Sequence, residues 1–556
     1  MKQIDIIKTY SQKRCLVVDD LADSRAQIKR ILIDFGVTDV IAVGNAEEAI
    51  DHCQKKRFDI VIADYNLGSG KNGQQLLEEL RFHDLLQNTA LFIMITAENA
   101  SHFVLHTLEY EPDEFLSKPI SRESLRPRLD QALLRNEYLK PIKAAIDANR
   151  IGKAIGEAEL LKSQQSRFQN DIRKMLCDLY LKAERYDDTE YTCSELDQNR
   201  LPLWAELAMA EADYHRKRYP DCEKRLLSLR DKHPNCVDAH DLLARLYEIT
   251  HRIQLSQQSL LNAVKVSPRH APRQRELGRV SHAAEDENSS IHAYRAALRY
   301  AKKSCHEDPN DEMCLAESLI KLSVNSSEEH AATLLDEARE QLGAVDKKYT
   351  KQPIVIMRRK LVEAEYFAHR GDDQRAEENT TEAVDLHNQL PYSAIENTAK
   401  SLCLDCALSF INRGRYDEGE AILQELARLN TSPEFALRLD KLLREPKTEE
   451  GIAYAAKLNK GGIERYKKGD IDGAIVAFKQ VLQELPNHIG LNLNLIQALT
   501  SKSKSASLNN TELETLETCF KRIGNCDIND AHKKRAEFLN KRYQKICEEL
   551  ITQAAS

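Results

Sequence analysis

At 556 residues, with 42% hydrophobic and 30% charged side chains, the chain is too long for one ordinary core and has the composition of a folded protein. The net charge is -8 and no segment is strongly basic, which argues against nucleic acid as a partner, because such binding depends on cations that neutralise phosphates. No apolar run approaches the roughly 20 residues that span a bilayer, and Met1 to Tyr10 lacks the apolar core of a signal peptide, so a cytoplasmic protein with no membrane partner is expected. The 13 cysteines are then expected to be reduced, most of them as small core residues. Scarce glycine (19) and proline (15) favour helix.

From Arg14 to about Asn136, strand and helix alternate five times. Apolar runs at Cys15 to Val18, Val40 to Val43, Ile60 to Ala63, Leu91 to Ile95 and Glu114 to Leu116 predict short strands. Helix-period segments follow them at Ser24 to Phe35, Ala46 to Lys56, Gln74 to Leu86, Ala100 to Tyr110 and Arg122 to Arg135. Apolar strands joined by helices predict a doubly wound α/β domain, a five-stranded parallel sheet covered on both faces. Ligands of such sheets bind at the carboxyl ends of the strands. There the sequence places Asp19 and Asp20 after the first strand, Asp64 after the third, Thr96 after the fourth, and Lys118 with Pro119 after the fifth. Three crowded carboxylates repel one another, and a hard cation such as Mg²⁺ resolves the repulsion. One carboxylate is then free to act as a nucleophile toward phosphorus, with the lysine offsetting the charge of the transferring group.

Asp19-Asp20, Asp64, Thr96-Ala97 and Lys118-Pro119, in that order and each at a strand end, resemble the receiver domain of bacterial two-component response regulators, which has a flavodoxin-like fold. The resemblance covers residues 12–138, about a quarter of the chain. It implies that Asp64 accepts a phosphoryl group from a histidine kinase or phosphotransfer protein. It implies Mg²⁺ held by Asp20, Asp64 and the backbone carbonyl of Asn66, with Asp19 acting through water. Lys118 would pair with the phosphoryl group, Thr96 would report its presence, Phe115 would turn inward on activation, and the Lys118-Pro119 bond would be cis. The loop from Tyr65 to Gly73 departs from the family: Gly68 stands where a proline is usual, and Gly73 falls two residues late. Glu111-Pro112 replaces the usual small residues before the fifth strand.

Other motifs are read more plainly. Gly68-Ser69-Gly70-Lys71 lacks the first glycine and the closing hydroxyl of a phosphate-binding loop. His102 and His106, spaced for one helix face, find no third metal ligand. Cys403 and Cys406 sit in an apolar helical pattern and read as core rather than as a redox pair.

Beyond Tyr138 the strands stop and a period emerges. Tyr186, Tyr219, Ile253 and Glu287 fall 33, 34 and 34 residues apart. Leu243-Ala244 returns as Leu277-Gly278, Pro234 as Pro268 and Ala263 as Ala297, and Tyr180 and Tyr247 share a slot. Later units centre on Gly371-Asp372, Gly414-Arg415-Tyr416 and Gly469-Asp470-Ile471, at wider spacings. This pattern resembles the tetratricopeptide (TPR) repeat, so an all-α superhelical solenoid is expected, with a first array over 139–304, an irregular helical connector over 305–350 and a second array over 351–548. The resemblance implies a groove that binds an unidentified protein or peptide.

Together these readings predict a phosphorelay response regulator, not an enzyme beyond Mg²⁺-dependent phosphoryl acceptance and autodephosphorylation at Asp64. Its array would bind a partner in a phosphorylation-dependent way. With no Gly/Ser linker near Tyr138, docking between the two parts is expected. The alternatives are a regulator or phosphatase of another response regulator and, last, a transcription regulator, for which no basic recognition helix is found.

Overall fold

The structure, a computed structural model, describes residues 6–555 except 69, 97–111, 165, 199, 350–351, 391–399, 430–434, 436–438, 441, 444–448, 504–507 and 524–529. The expected helix from Ala100 to Tyr110, with His102 and His106, therefore lies outside the described residues, as do Ala97 and Glu111. The chain divides into two compact units, Met1–Ala338 and Arg339–Ser556.

The first unit opens with α1 (Ile6–Ser11), β1 (Arg14–Val18), α2 (Ala22–Asp34), β2 (Asp39–Val43), α3 (Ala46–Lys55), β3 (Ile60–Asp64), α4 (Gly73–Phe82), β4 (Leu91–Thr96), β5 (Glu114–Ser117) and α5 (Arg122–Asp147). The five strands form one sheet in the order β2-β1-β3-β4-β5, and every adjacent pair is parallel. β1, β3 and β4 are buried almost throughout because both faces are covered, which is why they read as continuous apolar runs rather than alternating ones. Cys15, Val17, Ile62, Ile93 and Ile95 face α2 and α5, while Leu16, Val18, Val61, Phe92 and Met94 face α3 and α4. Each such aliphatic side chain, fully buried, contributes roughly 1.5–3 kcal/mol against the entropy of ordering the chain.

Several elements differ from the sequence expectation: α1 has no counterpart in it, and α4 ends at Phe82 rather than Leu86. α5 runs 26 residues, to Asp147, rather than ending at Arg135. Its apolar face explains why. Leu125, Leu129, Ala132 and Leu133 pack in the sheet core, and the stripe continues as Leu139, Ile142 and Ala145 into a second core with Ile172 and Leu176. One helix thus serves two cores, and position 138 lies within it. The stretch 305–350 is also more regular than expected, forming α15 (Pro309–Val324) and α16 (Glu328–Lys348). Asp308 accepts from the Asn310 N–H and Pro309 takes the first helical position, so α15 starts on a clean N-cap.

Between α5 and α15 lie α6 (Ile151–Ser163), α7 (Gln169–Lys182), α8 (Tyr186–Ser194), α9 (Leu203–His215), α10 (Tyr219–Lys232), α11 (Val237–Ile249), α12 (Ile253–Val266), α13 (Ala271–Ala283) and α14 (Glu287–Ala301). The phased residues Tyr186, Tyr219, Ile253 and Glu287 open α8, α10, α12 and α14. Just before each, the preceding helix ends on a left-handed residue: Glu184, Lys217, His251 and Glu285, with φ between 58° and 62°. The next N–H bonds back five residues, Arg185 to Tyr180, Arg218 to Asp213, Arg252 to Tyr247 and Asp286 to Ser281, at 2.7–3.0 Å. This helix stop satisfies orphan carbonyls and reverses the chain into a helical hairpin.

The period extends to side chains. The Cys222 thiol donates to the Ala210 carbonyl, Ser256 to Ala244 and Ser290 to Gly278, each across one hairpin. His240 and Gln274 each bond the carbonyl of the proline six residues earlier, Pro234 and Pro268. At Gly278 the helices approach so closely that a Cβ would stand 2.8 Å from the Tyr294 ring.

The second unit repeats the device with glycine. Gly371, Gly414 and Gly469 are left-handed between the helix pairs Pro353–His369 and Asp373–Gln389, Lys400–Asn412 and Tyr416–Arg428, and Glu449–Lys467 and Ile471–Glu484. Helices Ile489–Lys502, Asn510–Ile523 and Asp530–Ala555 complete it. Cys403 and Cys406 are wholly buried in its core, as read from the sequence. No disulfide joins the described cysteines, and no described helix is long and apolar enough to cross a membrane.

Candidate functional site

The parallel sheet delivers the chemistry-bearing residues to one edge. Asp19 and Asp20 follow β1, Asp64 ends β3, Thr96 ends β4, and Lys118 follows β5. Backbone bonds fix the approach: Asp19 N–H to the Val43 carbonyl at 3.3 Å, Tyr65 N–H to Ile95 at 2.7 Å and Lys118 N–H to Thr96 at 2.8 Å. The Lys118-Pro119 peptide is cis.

Lys118 Nζ lies 2.6 Å from Asp64 Oδ2 and 3.0 Å from Asp19 Oδ2. Carboxylate oxygens of Asp19, Asp20 and Asp64 all lie within 4.8 Å of one another, with Asp19 and Asp64 buried and Asp20 exposed. Burial pushes the Asp64 carboxyl above its ordinary value and Asp19 adds to this, while Lys118 and the Asn66 backbone N–H work against it. For Lys118, burial works to lower the ammonium, but its bonds to Asp64 and Asp19 outweigh burial and raise it. One cation thus faces three carboxylates. The site is short of positive charge and offers only hard oxygen donors, one side of them open to water. That donor set fits a hard divalent cation that retains waters.

Thr96 is buried at its strand end. Phe115 is partly buried against the α3–α4 side of the sheet. Asp64 stands buried at the sheet edge, next to an ammonium and the exposed Asp20, a placement that suits a carboxylate nucleophile toward phosphorus.

Several supporting residues escaped the sequence reading. Ser24 donates its hydroxyl to Asp19 Oδ2 at 2.6 Å, and the Leu21 N–H donates to Asp19 Oδ1 at 2.9 Å. Both Asp19 oxygens are thereby held. Arg25 bonds the carbonyls of Asp19 and Asp20 at 2.6 and 3.1 Å and fixes the turn that carries them. The available signal was the hydroxyl five residues after Asp19, on the first turn of α2. In the long loop after Asp64, Asn72 and Gln75 form a reciprocal cap that starts α4. Lys71 is paired with Glu79 at 2.5 Å rather than engaged in a phosphate loop. Gly73 is required there, because a Cβ would sit 2.3 Å from the Asp64 carbonyl oxygen.

The N-terminal part of the chain is similar to known proteins. Residues 15–130 match the response regulator receiver domain family. Chemotaxis protein CheY-3 of Vibrio cholerae is 27% identical over 122 residues, which are 22% of this chain and 92% of that protein. Transcriptional regulatory protein CiaR of Streptococcus pneumoniae is 34% identical over 123 residues, again 22% of this chain but 51% of that protein. Among solved structures, chemotaxis response regulator CheY4 of Vibrio cholerae is 26% identical, with 22% of this chain and 98% of that one covered and a TM-score of 0.21.

Proposed function

We propose, from the premise that residues 15–130 are a CheY-like response regulator receiver domain, that Asp64 is the phospho-acceptor of a phosphorelay and that the helical hairpins carry its output. The donor is a histidine kinase or phosphotransfer protein. An Asp64 carboxylate oxygen attacks the phosphorus of the phosphohistidine, the P–N bond breaks, and an acyl phosphate forms while the imidazole leaves. Asp20, Asp64 and the Asn66 carbonyl would hold Mg²⁺, with Asp19 through water. When bound, the metal would neutralise charge on the phosphoryl oxygens. Lys118 holds the phosphoryl group, Thr96 hydrogen-bonds to it, and Phe115 turns inward as the domain switches. Beyond accepting and losing this group the chain performs no catalysis.

The observation that carries the reading is Lys118 Nζ at 2.6 Å from Asp64, within a cluster of three carboxylates at the sheet edge. The test is to incubate the full chain with a small phosphoramidate and Mg²⁺ and follow its intact mass. The wild type gains one phosphoryl group, labile to hydroxylamine. The Asp64→Asn variant and the metal-free protein do not. Equal gain in Asp64→Asn would refute the assignment.

We read the hairpins as tetratricopeptide-like repeats that bind a protein or peptide partner in the cytoplasm. This reading is supported by the recurrence near 34 residues of the left-handed turn, the small residue at the close approach and the bonded proline carbonyl.

A further inference from the structure

Among the described residues, two of the places where the receiver meets the first-unit helices stand out. One is a seam at α5. There the Asp147 carboxylate accepts from the backbone and side chains of Asn88 and Thr89 at 2.7–3.1 Å, and Asn136 donates to the Thr89 carbonyl at 2.6 Å. The other is more distant in sequence. The turn between α14 and α15 rests on α4, the helix that directly follows the phospho-acceptor loop. His306 Nε2 is 3.7 Å from Glu78 Oε2, with both side chains largely buried. The His306 ring also meets the Phe82 ring edge-on at 6.0 Å. Beside it, the half-buried Cys305 lies close enough to Glu78 and Glu79 that burial, together with those carboxylates, pushes its thiol up to about 11.

The turn is built to present these residues. Arg275 donates to the His306 carbonyl at 2.8 Å and grips Asp311 at 2.6 and 2.8 Å. Lys303 N–H is held by Glu307 and His306 N–H by Ser304. The α4 side is coupled to the phosphorylation site. Gly73, its first residue, packs on the Asp64 carbonyl with no room for a Cβ, and its N–H bonds the Tyr65 carbonyl at 2.8 Å. Lys71 is the only charged side chain of the loop 65–73, and it is pinned to Glu79, next to Glu78. Lys71, in the loop that sets the chain apart from the receiver pattern, thus reaches towards the contact.

We infer that α4 and the 303–308 turn form an intramolecular latch between receiver and repeats, and that phosphorylation of Asp64 loosens it. The phospho-acceptor loop is the connecting rod. A phosphoryl group on Asp64 is bulkier than the carboxylate and adds negative charge. The loop that must yield to it lies against Asp20 at Gly68 and against the Asp64 carbonyl at Gly73, where it enters α4. α4 in turn carries Glu78 and Phe82. Release exposes the turn and frees the adjoining hairpins, a population shift between two arrangements. This inference rests on Asp64 being the phospho-acceptor.

Cys305 supplies the readout, since opening the contact uncovers its half-buried thiol and speeds its reaction with a maleimide. The full chain is treated with maleimide, and the rate at Cys305 is read by peptide mass spectrometry. The comparison is between wild type, Phe82→Ala, which removes a contact without changing the charge beside the thiol, and Asp64→Asn, each with and without phosphoramidate and Mg²⁺. Phe82→Ala is expected to speed labelling without the donor by about tenfold, a change of about 1.4 kcal/mol in the closed–open equilibrium. The donor speeds wild type comparably and leaves Asp64→Asn unchanged. An unchanged rate in Phe82→Ala overturns the latch. A mass gain on Asp64 with an unchanged Cys305 rate overturns its release by phosphorylation while leaving the phospho-acceptor standing. No mass gain removes the phospho-acceptor and the trigger with it.

Discussion

At the scale of single residues, Lys118 has the clearest consequence. Among the described residues it is the cation bonded to Asp64, so in the proposed transfer its ammonium would meet, together with the bound metal, the charge on the phosphoryl group. Lys118→Met is expected to slow phosphorylation of Asp64 by on the order of a hundredfold, measured as the rate of mass gain with excess phosphoramidate. A second residue-scale prediction concerns pH. His282 Nδ1 lies 2.8 Å from Glu287 Oε2, and Lys321 lies 2.8 Å from the other oxygen. Burial works to lower the His282 imidazole, but Glu287 and Glu317 outweigh burial and Lys321 and hold it above its ordinary 6.5. Burial works to raise the Glu287 carboxyl, but His282 and Lys321 outweigh it and hold it below 4.5. The His282 contribution is complete below pH 6.5 and fades as pH rises through the raised value. The Glu287 contribution is present above pH 4.5 and is lost as pH falls through the depressed one. The pair therefore stabilises most between these limits. His282→Gln is expected to flatten the fall in thermal midpoint above pH 6.5, and an unaltered profile would contradict this.

The acids, Thr96 and Lys118 were legible because strand ends are legible: an apolar run stops and a charge follows. Ser24, Arg25 and Asn72 were not, because their roles depend on turn geometry that brings a hydroxyl, a guanidinium and an amide back onto neighbours a few residues away. Lys71 was visible only as part of a rejected motif, since its partner Glu79 is fixed by the α4 register.

At the scale of elements, the hairpins turn on a left-handed residue that the first unit fills with Glu184, Lys217, His251 and Glu285 and the second with glycine. Side chains with a Cβ are strained in that region. Lys217→Gly is expected to raise stability by about 0.5–1 kcal/mol in chemical denaturation, because it removes this strain at a site with no helical requirement. Gly278→Ala is expected to act in the opposite sense, by about 1–3 kcal/mol, because its Cβ meets the Tyr294 ring. Sequence phasing located these turns because Tyr186, Tyr219, Ile253 and Glu287 each start the helix just after them. It ended α5 too early because the helix leaves one core and enters another without a break in its apolar stripe. It also undervalued the stretch 305–350, whose helices are set by the Asp308 cap and their own burial, not by the repeat pattern.

At the scale of the whole molecule, a small α/β domain with an acidic sheet edge shares one unit with several helical hairpins, and α5 belongs to both. In the proposed switch, the shared helix α5 and the contact at α4 are the routes by which a charge change at Asp64 would reach distant surfaces. The central claim is that the state of Asp64 controls what the helical repeats bind. Its most direct test is affinity purification from the source cells with three baits: wild type, Asp64→Asn, and protein loaded with a beryllofluoride phosphoryl mimic and Mg²⁺. The account predicts at least one partner whose yield differs between the loaded protein and Asp64→Asn. Identical partners in identical yields from all three would contradict it.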